Sequence, residues 1–182
     1  QIQFTLMKDE ATLLIDTSGP GLHKRGYRAN AGGAPIKETL AAAIADLARV
    51  RFAEGVYDPC CGSGTLLIEA ALSAMRIAPG IRREFAASSW RAVPPEIWRA
   101  ERARAREMER RDSPVRLWGG DVDPAMVALA EENAGKAGVG SRLTAVQADL
   151  RRFRPQGEGG VVLCNPPYGE RLLDLQAAEE LY

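Results

Sequence analysis

Short apolar runs alternate along the chain with stretches of helical periodicity, and each run ends at an acidic residue or at a turn. Apolar runs of this length predict buried strands, whereas the longer periodic stretches predict helices. The four strands predicted in this way, in chain order, are 55–58, 115–121, 143–149 and 161–164. Strands that alternate with helices predict an α/β fold, and open sheets of this kind bind ligands at the carboxyl ends of their strands.

Two further apolar runs, 2–6 and 12–15, predict a β-hairpin at the start of the chain. The segment 17–34 is rich in glycine and basic residues, and we interpret it as a linker. The α/β domain is then predicted to occupy residues 35–182. Within it, residues 73–113 form an unusually long insertion between the first and second strands.

The tetrapeptide Asn165-Pro166-Pro167-Tyr168 directly follows the fourth predicted strand. The side-chain oxygen of Asn165 and the carbonyl oxygen of Pro166 can accept hydrogen bonds from one exocyclic amine, and two prolines hold them rigid. Tyr168 can stack on the ring that carries this amine. Such a site fixes the amino nitrogen and directs its lone pair toward an electrophile. The motif therefore predicts methylation of a planar amine, with a nucleobase as the expected acceptor.

A glycine-rich turn after the first strand predicts the source of the electrophile. Asp58 ends that strand, and Cys60, Gly62 and Gly64 follow it before a predicted helix. Glycine lets the backbone approach a ligand closely. The turn is not a dinucleotide fingerprint, because the third glycine would fall at Leu67, and the Gly-Lys-Ser/Thr phosphate loop is also absent. An acid at Asp58 would repel a pyrophosphate but suits a cation, and S-adenosylmethionine (SAM) carries an amino group and a sulfonium.

Two further acids complete the candidate cofactor site. Asp121 ends the second strand and can accept hydrogen bonds from both ribose hydroxyls, and Asp149 ends the third strand and can accept one from the adenine amine. Asp123 is a nearby rival for the ribose. We rank it second because it precedes Pro124 and better suits the N-cap of the predicted helix 124–137.

Amino-acid composition adds little to the prediction of function. Lys and Arg balance Asp and Glu at 24 each, so any RNA-binding surface must be local. One candidate is the segment 24–28, in which Lys24, Arg25 and Arg28 could contact phosphates and Tyr27 could stack on a base. Another is the predicted arginine-rich helix 96–111, and each could equally be a solvated charged segment. The three cysteines show no paired spacing, which favours small residues in a reducing compartment over a metal site. No signal peptide or transmembrane run is evident, so no membrane partner is expected and the cytoplasm is the default location.

Several motifs together resemble the THUMP-containing RNA guanine-N2 methyltransferases, which include enzymes acting on large-subunit rRNA. The resemblance covers nearly the whole chain and rests on the segments 22–28, 34–40, 58–65, 119–124, 148–150 and 165–172. Asn-Pro-Pro-Tyr is shared with adenine-N6 DNA methylases and protein glutamine methylases, so it indicates amino methylation without defining the substrate. The segment Leu-His-Lys-Arg-Gly-Tyr-Arg, at 22–28, is the more family-specific part.

The resemblance implies a Rossmann-like class I methyltransferase that uses SAM to methylate an exocyclic amine of an RNA base. Guanine N2 in rRNA is the favoured target, ahead of tRNA. Residues 1–16 would then be the last hairpin of a THUMP-like RNA-binding domain, and the alternative is that they are a β-extension of the methylase. Asn165, Pro166 and Tyr168 would address the target base.

Sheets of this class continue beyond a fourth strand, so we expect 35–182 to be a partial methyltransferase domain that is truncated after the fourth strand. On its own it would have little or no activity. We expect the first strand to be internal in the sheet, with the second and third strands on one side of it and the fourth on the other. The outer edge of the strand 161–164 would then be unpaired, which predicts self-association. Two alternative functions stay open: a DNA adenine-N6 methyltransferase, and a non-catalytic RNA-binding module with a vestigial cofactor pocket.

Overall fold

The computed structural model describes residues 2–28, 36–157 and 159–166. Its helices and strands, in chain order, are β1 (Ile2–Met7), β2 (Glu10–Ile15), α1 (Glu38–Leu47), β3 (Gly55–Asp58), α2 (Thr65–Ala74), α3 (Pro95–Glu107), β4 (Arg116–Asp121), α4 (Pro124–Ala137), β5 (Leu143–Gln147) and β6 (Val161–Val162). None of the helices in these ranges is long and apolar enough to cross a membrane.

Strands β3 to β6 form one parallel sheet with the order β5-β4-β3-β6. The predicted arrangement is confirmed: β3 is internal, β4 and β5 lie on one side of it, and β6 lies on the other. Because all four strands are parallel, their carboxyl ends meet at one edge of the sheet, and the predicted ligand groups follow those ends.

Helix α4 has the predicted bounds because each end carries a strong signal. Asp123 caps its first turn by accepting a hydrogen bond from the backbone N–H of Ala125 at 2.8 Å, and Pro124 begins the helix. Gly138 ends it with φ of 79°, a left-handed conformation that glycine adopts without strain.

Three other predicted bounds are wrong by a few residues. Strand β5 ends at Gln147, so Asp149 lies in the turn that follows, and β6 has only two residues. The arginine-rich helix of the insertion, α3, ends at Glu107, four residues earlier than predicted. Strand ends depend on pairing with a neighbouring strand, which local composition does not encode.

Helix α2 is the centre of the core. All of its residues except Ser73 are buried, because α2 contacts α1, α4 and the sheet. Its large apolar side chains, Leu67 and Ile68, are fully buried, whereas α1 and α4 present mainly alanines to the core. Small residues on the outer helices allow close packing around α2, which begins directly at the glycine-rich turn.

Arg83 fixes the insertion to the linker, and Arg102 in turn holds the backbone of Arg83. The guanidinium of Arg83 is buried and donates to the carbonyls of Ser18, Pro20 and Gly21. Arg102 in α3 donates to the carbonyl of Arg83 at 2.7 Å. The insertion and the linker therefore pack on each other as one structure.

Strands β1 and β2 form the predicted hairpin. The two residues of its turn, Lys8 and Asp9, have φ of 50° and 63°. Positive φ at both positions is typical of the tight two-residue loops that connect the strands of a hairpin. Every residue of both strands is exposed. One face of the hairpin is apolar, and it consists of Ile2, Phe4, Leu6, Ala11, Leu13 and Ile15.

Candidate active site

The glycine-rich turn leads from the end of β3 into α2. Gly62 and Gly64 have φ of 50° and 80°, so both occupy the left-handed region that favours glycine. The two glycines differ in their surroundings. A Cβ at Gly64 would lie 3.0 Å from the Cβ of Ala130 in α4, whereas a Cβ at Gly62 would meet no protein atom within 4 Å. Gly64 therefore serves helix packing, and Gly62 leaves open space beside the turn.

Asp58 is a buried carboxylate at the end of β3. It is 1% exposed and accepts a hydrogen bond from the backbone N–H of Cys60 at 3.1 Å. Burial raises the pKa of Asp58 well above its usual range, and the nearby Asp121 raises it further. Unpaired buried charge is costly, so a cationic ligand at this carboxylate would relieve an unfavourable state.

Asp121 connects the end of β4 to the glycine-rich turn. Its Oδ2 accepts a hydrogen bond from the backbone N–H of Gly62 at 2.9 Å, and its Oδ1 accepts one from Asp123 at 3.0 Å. Each carboxylate oxygen has a further lone pair, so both remain able to accept hydrogen bonds from a ligand. The assignment of Asp123 as the helix cap is confirmed, which leaves Asp121 as the candidate ribose ligand.

Asp149 has a partner that the sequence analysis did not anticipate. Its carboxylate caps the short 3₁₀ turn that follows β5, and it also pairs with the guanidinium of Arg151 through contacts of 3.0 and 2.6 Å. The hydrogen bonds from Arg151 lower the pKa of Asp149 to about 2. An adenine amine at this position would have to share the carboxylate with Arg151.

The end of β6 lies against the glycine-rich turn. Leu163 donates from its backbone N–H to the carbonyl of Tyr57 at 2.8 Å, which continues the β3–β6 pairing past the end of β6. The thiols of Cys60 and Cys164 lie near each other, and their interaction raises the pKa of Cys60 and lowers that of Cys164. Asn165 comes next in the chain and is exposed.

The structure thus brings the start of the predicted amine-binding motif next to the predicted cofactor turn. Asn165 and Pro166 come shortly after Leu163, whose backbone pairs with Tyr57 directly before Asp58. Tyr168, the third predicted residue of the motif, lies outside the described residues. Among the residues described, no group of three or more His, Cys, Asp or Glu side chains could hold a metal ion.

Asn133 supports the glycine-rich turn and was missed by the sequence analysis. It is fully buried in α4, and its Nδ2 donates to the carbonyl of Ser63 at 3.0 Å. Its neighbours on the buried side of α4 are Ala130, Ala134 and Ala137. A single asparagine among buried alanines is a signal that could have identified it, because a buried amide requires a partner.

The segment 22–28 docks on α2 through buried polar contacts. Tyr27 is 3% exposed and donates from its hydroxyl to Glu69 at 3.0 Å, and Arg25 pairs with the same carboxylate at 3.4 Å. Arg28 pairs with Glu38 at 3.6 Å. The hypothesis that Tyr27 stacks on an RNA base is therefore wrong, and Arg25 and Arg28 are structural partners of buried carboxylates rather than free phosphate ligands.

Solved structures share this fold over nearly the whole chain. The protein SMU.472, solved in complex with SAH, superimposes with a TM-score of 0.90 and 42% identity, covering 99% of this chain and 47% of that one. A Listeria monocytogenes protein, described as a "predicted N6-adenine-specific DNA methylase", gives a TM-score of 0.89 and 46% identity with the same coverage. With the strand order and the glycine-rich turn, these matches define a class I methyltransferase fold whose cofactor is SAM.

Sequence comparison identifies the family. A profile described as "RMKL-like, methyltransferase domain" (UPF0020) matches residues 25–182, so the chain belongs to this family. It is 43% identical over its full length to the Bacillus subtilis protein named "Putative RNA methyltransferase YpsC". It is 42% identical over 178 residues to the "Ribosomal RNA large subunit methyltransferase K/L" of Vibrio campbellii. The chain spans 47% of the Bacillus protein and 25% of the Vibrio protein.

Proposed function

We propose that this chain belongs to an enzyme that methylates an exocyclic amine of an RNA base, with guanine N2 of large-subunit rRNA as the favoured target. One observation carries the proposal: the strand pairing of β6 with β3 continues through the hydrogen bond from Leu163 to Tyr57, so Asn165 follows β6 at the same sheet edge where Asp58 begins the glycine-rich turn. An amine-binding group and a cofactor turn at neighbouring strand ends suit transfer between their two ligands. The names of the Bacillus and Vibrio relatives support RNA as the substrate.

The residues of the turn fit SAM in specific ways. The buried carboxylate of Asp58 suits the cationic methionine end, and the open side of Gly62 leaves room for a ligand to approach the backbone. Asp121 is the candidate partner of the ribose hydroxyls and Asp149 of the adenine amine. Cys60 is a candidate contact residue through its position in the turn. When bound, SAM supplies a methyl group on a positively charged sulfur.

The chain's own task is to activate the acceptor amine. An exocyclic amine is a weak nucleophile because its lone pair is delocalised into the ring. Hydrogen bonds from its two N–H groups to the Asn165 side chain and the Pro166 carbonyl would localise that lone pair on nitrogen. Correct positioning of the reacting groups can supply roughly 7–11 kcal/mol of the barrier reduction. Tyr168 would stack on the base once it has left its helix or loop.

A second candidate function is adenine-N6 methylation of DNA. The description of the Listeria relative supports it, and Asn-Pro-Pro-Tyr suits any planar exocyclic amine. The two candidates differ in the hairpin β1–β2, which we propose to be part of a THUMP-like RNA-binding domain. If the enzyme acts on DNA, this hairpin is not expected to bind RNA.

The deciding experiment is a methylation assay with the complete polypeptide. Large-subunit rRNA, tRNA and duplex DNA are each incubated with isotopically labelled SAM, and the products are digested to nucleosides and identified by mass spectrometry. We expect N2-methylguanosine from rRNA only. N6-methyladenine from DNA would establish the second candidate instead. SAM binding without methylation of any substrate would favour a non-catalytic module.

A further inference from the structure

A cavity of about 400 Å³ lies at the opposite end of the helices from the cofactor turn. It is lined by residues near the carboxyl ends of α2 and α4, including Leu72, Lys136 and Ala137. Helices rise by about 1.5 Å per residue, so the lengths of α2 and α4 place it roughly 15–20 Å from the turn. Its volume falls in the range of about 300–1,000 Å³ that is usual for ligand pockets.

The cavity has a cationic rim. Five basic side chains line it against one carboxylate, that of Glu109, although Lys and Arg balance Asp and Glu over the whole chain. These basic residues are Arg25, Arg82, Arg106, Arg111 and Lys136. The local excess of positive charge is therefore a property of this site and not of the overall composition.

Three of these cations already have carboxylate partners, and two do not. Arg25 pairs with Glu69, Arg111 with Glu109, and Lys136 with Glu132. Within the described ranges, neither of the other two, Arg82 and Arg106, has a carboxylate within ion-pair distance. These two arginines carry the uncompensated charge of the rim.

The end of α4 holds Arg82 in place without neutralising it. Its guanidinium donates to the carbonyl of Lys136, and Arg111 donates beside it to the carbonyl of Gly138 at 3.0 Å. The carboxyl end of a helix favours cations. A guanidinium has five N–H donors, so one bond to a carbonyl leaves others for an anion. Arg106 is exposed on α3, and its side chain makes no hydrogen bond to any other described residue.

The cavity also has an apolar floor of buried side chains. Leu72, Ile77 and Ala137 line the cavity and are buried, and Ile81 is half-buried beside them. An apolar floor beneath a cationic rim is complementary to a nucleotide, whose base and sugar have apolar faces and whose phosphate is anionic.

We propose that this cavity is a second RNA contact site, which binds the phosphodiester backbone of the substrate away from the reacting base through Arg82 and Arg106. The inference rests on the proposed RNA substrate. The site would position the RNA and contribute binding energy without touching the cofactor.

The test compares two double variants of the complete polypeptide. Arg82→Gln with Arg106→Gln removes the two uncompensated charges. Arg99→Gln with Arg104→Gln is the matched control. Both of these arginines lie on α3, as Arg106 does, but they lie outside the cavity and pair with Glu96 at 2.8 Å and Glu101 at 3.5 Å. Affinity for a fluorescently labelled transcript of large-subunit rRNA is measured over a series of salt concentrations, and SAM affinity is measured by calorimetry.

Each phosphate contact contributes about 0.7–0.9 to the slope of log affinity against log salt. We therefore expect the cavity variant to lose about 1.5 from this slope and to bind roughly tenfold more weakly at low salt, with SAM affinity unchanged. The control should match the wild type. Arg106→Gln alone changes an exposed residue with no described side-chain partner, and it should give about half the effect even if the loss of Arg82 perturbs the fold.

Equal RNA affinity and salt slope in the two double variants would overturn the inference, and the proposed function would stand if the wild type still methylates the RNA. A wild-type protein that neither binds nor methylates RNA would overturn the proposed function and this inference together.

Discussion

Substitutions at the two glycines of the turn should separate cofactor binding from packing. In Gly64→Ala, a side chain is forced to adopt φ of 80°, and its Cβ meets the Cβ of Ala130 at 3.0 Å. Left-handed backbone costs a non-glycine residue about 1–2 kcal/mol, and overpacking adds about 1–3 kcal/mol. We expect Gly64→Ala to lower the free energy of unfolding by about 2–5 kcal/mol.

Gly62→Ala introduces the same methyl group two residues earlier, where it meets no protein atom within 4 Å. Its stability cost is limited to the backbone term of about 1–2 kcal/mol. We propose that SAM approaches the backbone from the open side of Gly62. The added methyl group should therefore reduce the affinity for the cofactor by more than the loss of stability alone would explain. Gly135→Ala is the matched control. It lies in α4 with open space at its Cβ and should gain roughly 0.5–1 kcal/mol.

The assays are urea and thermal denaturation of the ligand-free proteins and calorimetric titration with SAH. In a domain of about 150–250 residues, 1 kcal/mol shifts the melting temperature by roughly 2–4 °C, so the stability effects are measurable. If Gly64→Ala is as stable as Gly135→Ala, the packing argument is wrong. If Gly62→Ala binds SAH as tightly as the wild type, Gly62 does not face the cofactor.

Three further predictions concern charge and the sheet edge. The pKa of Asp58 is raised in the folded state, so its contribution to stability falls as pH rises from about 4 through the folded pKa. Asp58→Asn should therefore make the ligand-free protein more stable than the wild type near neutral pH, measured by denaturation across a pH series, while weakening SAM binding. Asp121→Ala should weaken SAM binding by about 1.5–3 kcal/mol for each charge-assisted hydrogen bond lost, and unchanged affinity by calorimetry would refute its ribose role. Val162 is 62% exposed on β6, which pairs only with β3 among the described strands. If this edge drives self-association, Val162→Lys should lower the mass measured by light scattering at high protein concentration, whereas an unchanged mass would rule the edge out.

The sequence predicted the location of those candidate residues that depend on local signals and on strand order. Asp58, Gly62 and Asp121 were predicted to lie together because parallel strands place their carboxyl ends at one edge, whereas their roles in cofactor binding stay a prediction. The direct hydrogen bond between Gly62 and Asp121 agrees with that argument. Helix α4 was predicted with its full length because a cap, a proline and a glycine mark its ends.

The features that were missed depend on contacts between distant parts of the chain. Asn133 and Ser63 are far apart in sequence, as are Tyr27 and Glu69, and no local pattern pairs a helical polar residue with a particular partner. The pairing of Asp149 with Arg151 is local, but a strand running to residue 149 would have placed their side chains differently. Tertiary packing decided the first two cases, and the early end of β5 decided the third.

The most direct test of the central claim is the effect of Asn165 on methyl transfer to large-subunit rRNA by the complete polypeptide. We predict that Asn165→Ala falls below about a tenth of the wild-type rate, a loss of more than about 1.4 kcal/mol of barrier reduction, while its affinity for SAM is nearly unchanged. Asn165→Asp keeps an acceptor oxygen and should retain more activity than the alanine variant. An Asn165→Ala enzyme that methylates rRNA at close to the wild-type rate would contradict the proposed role of the motif.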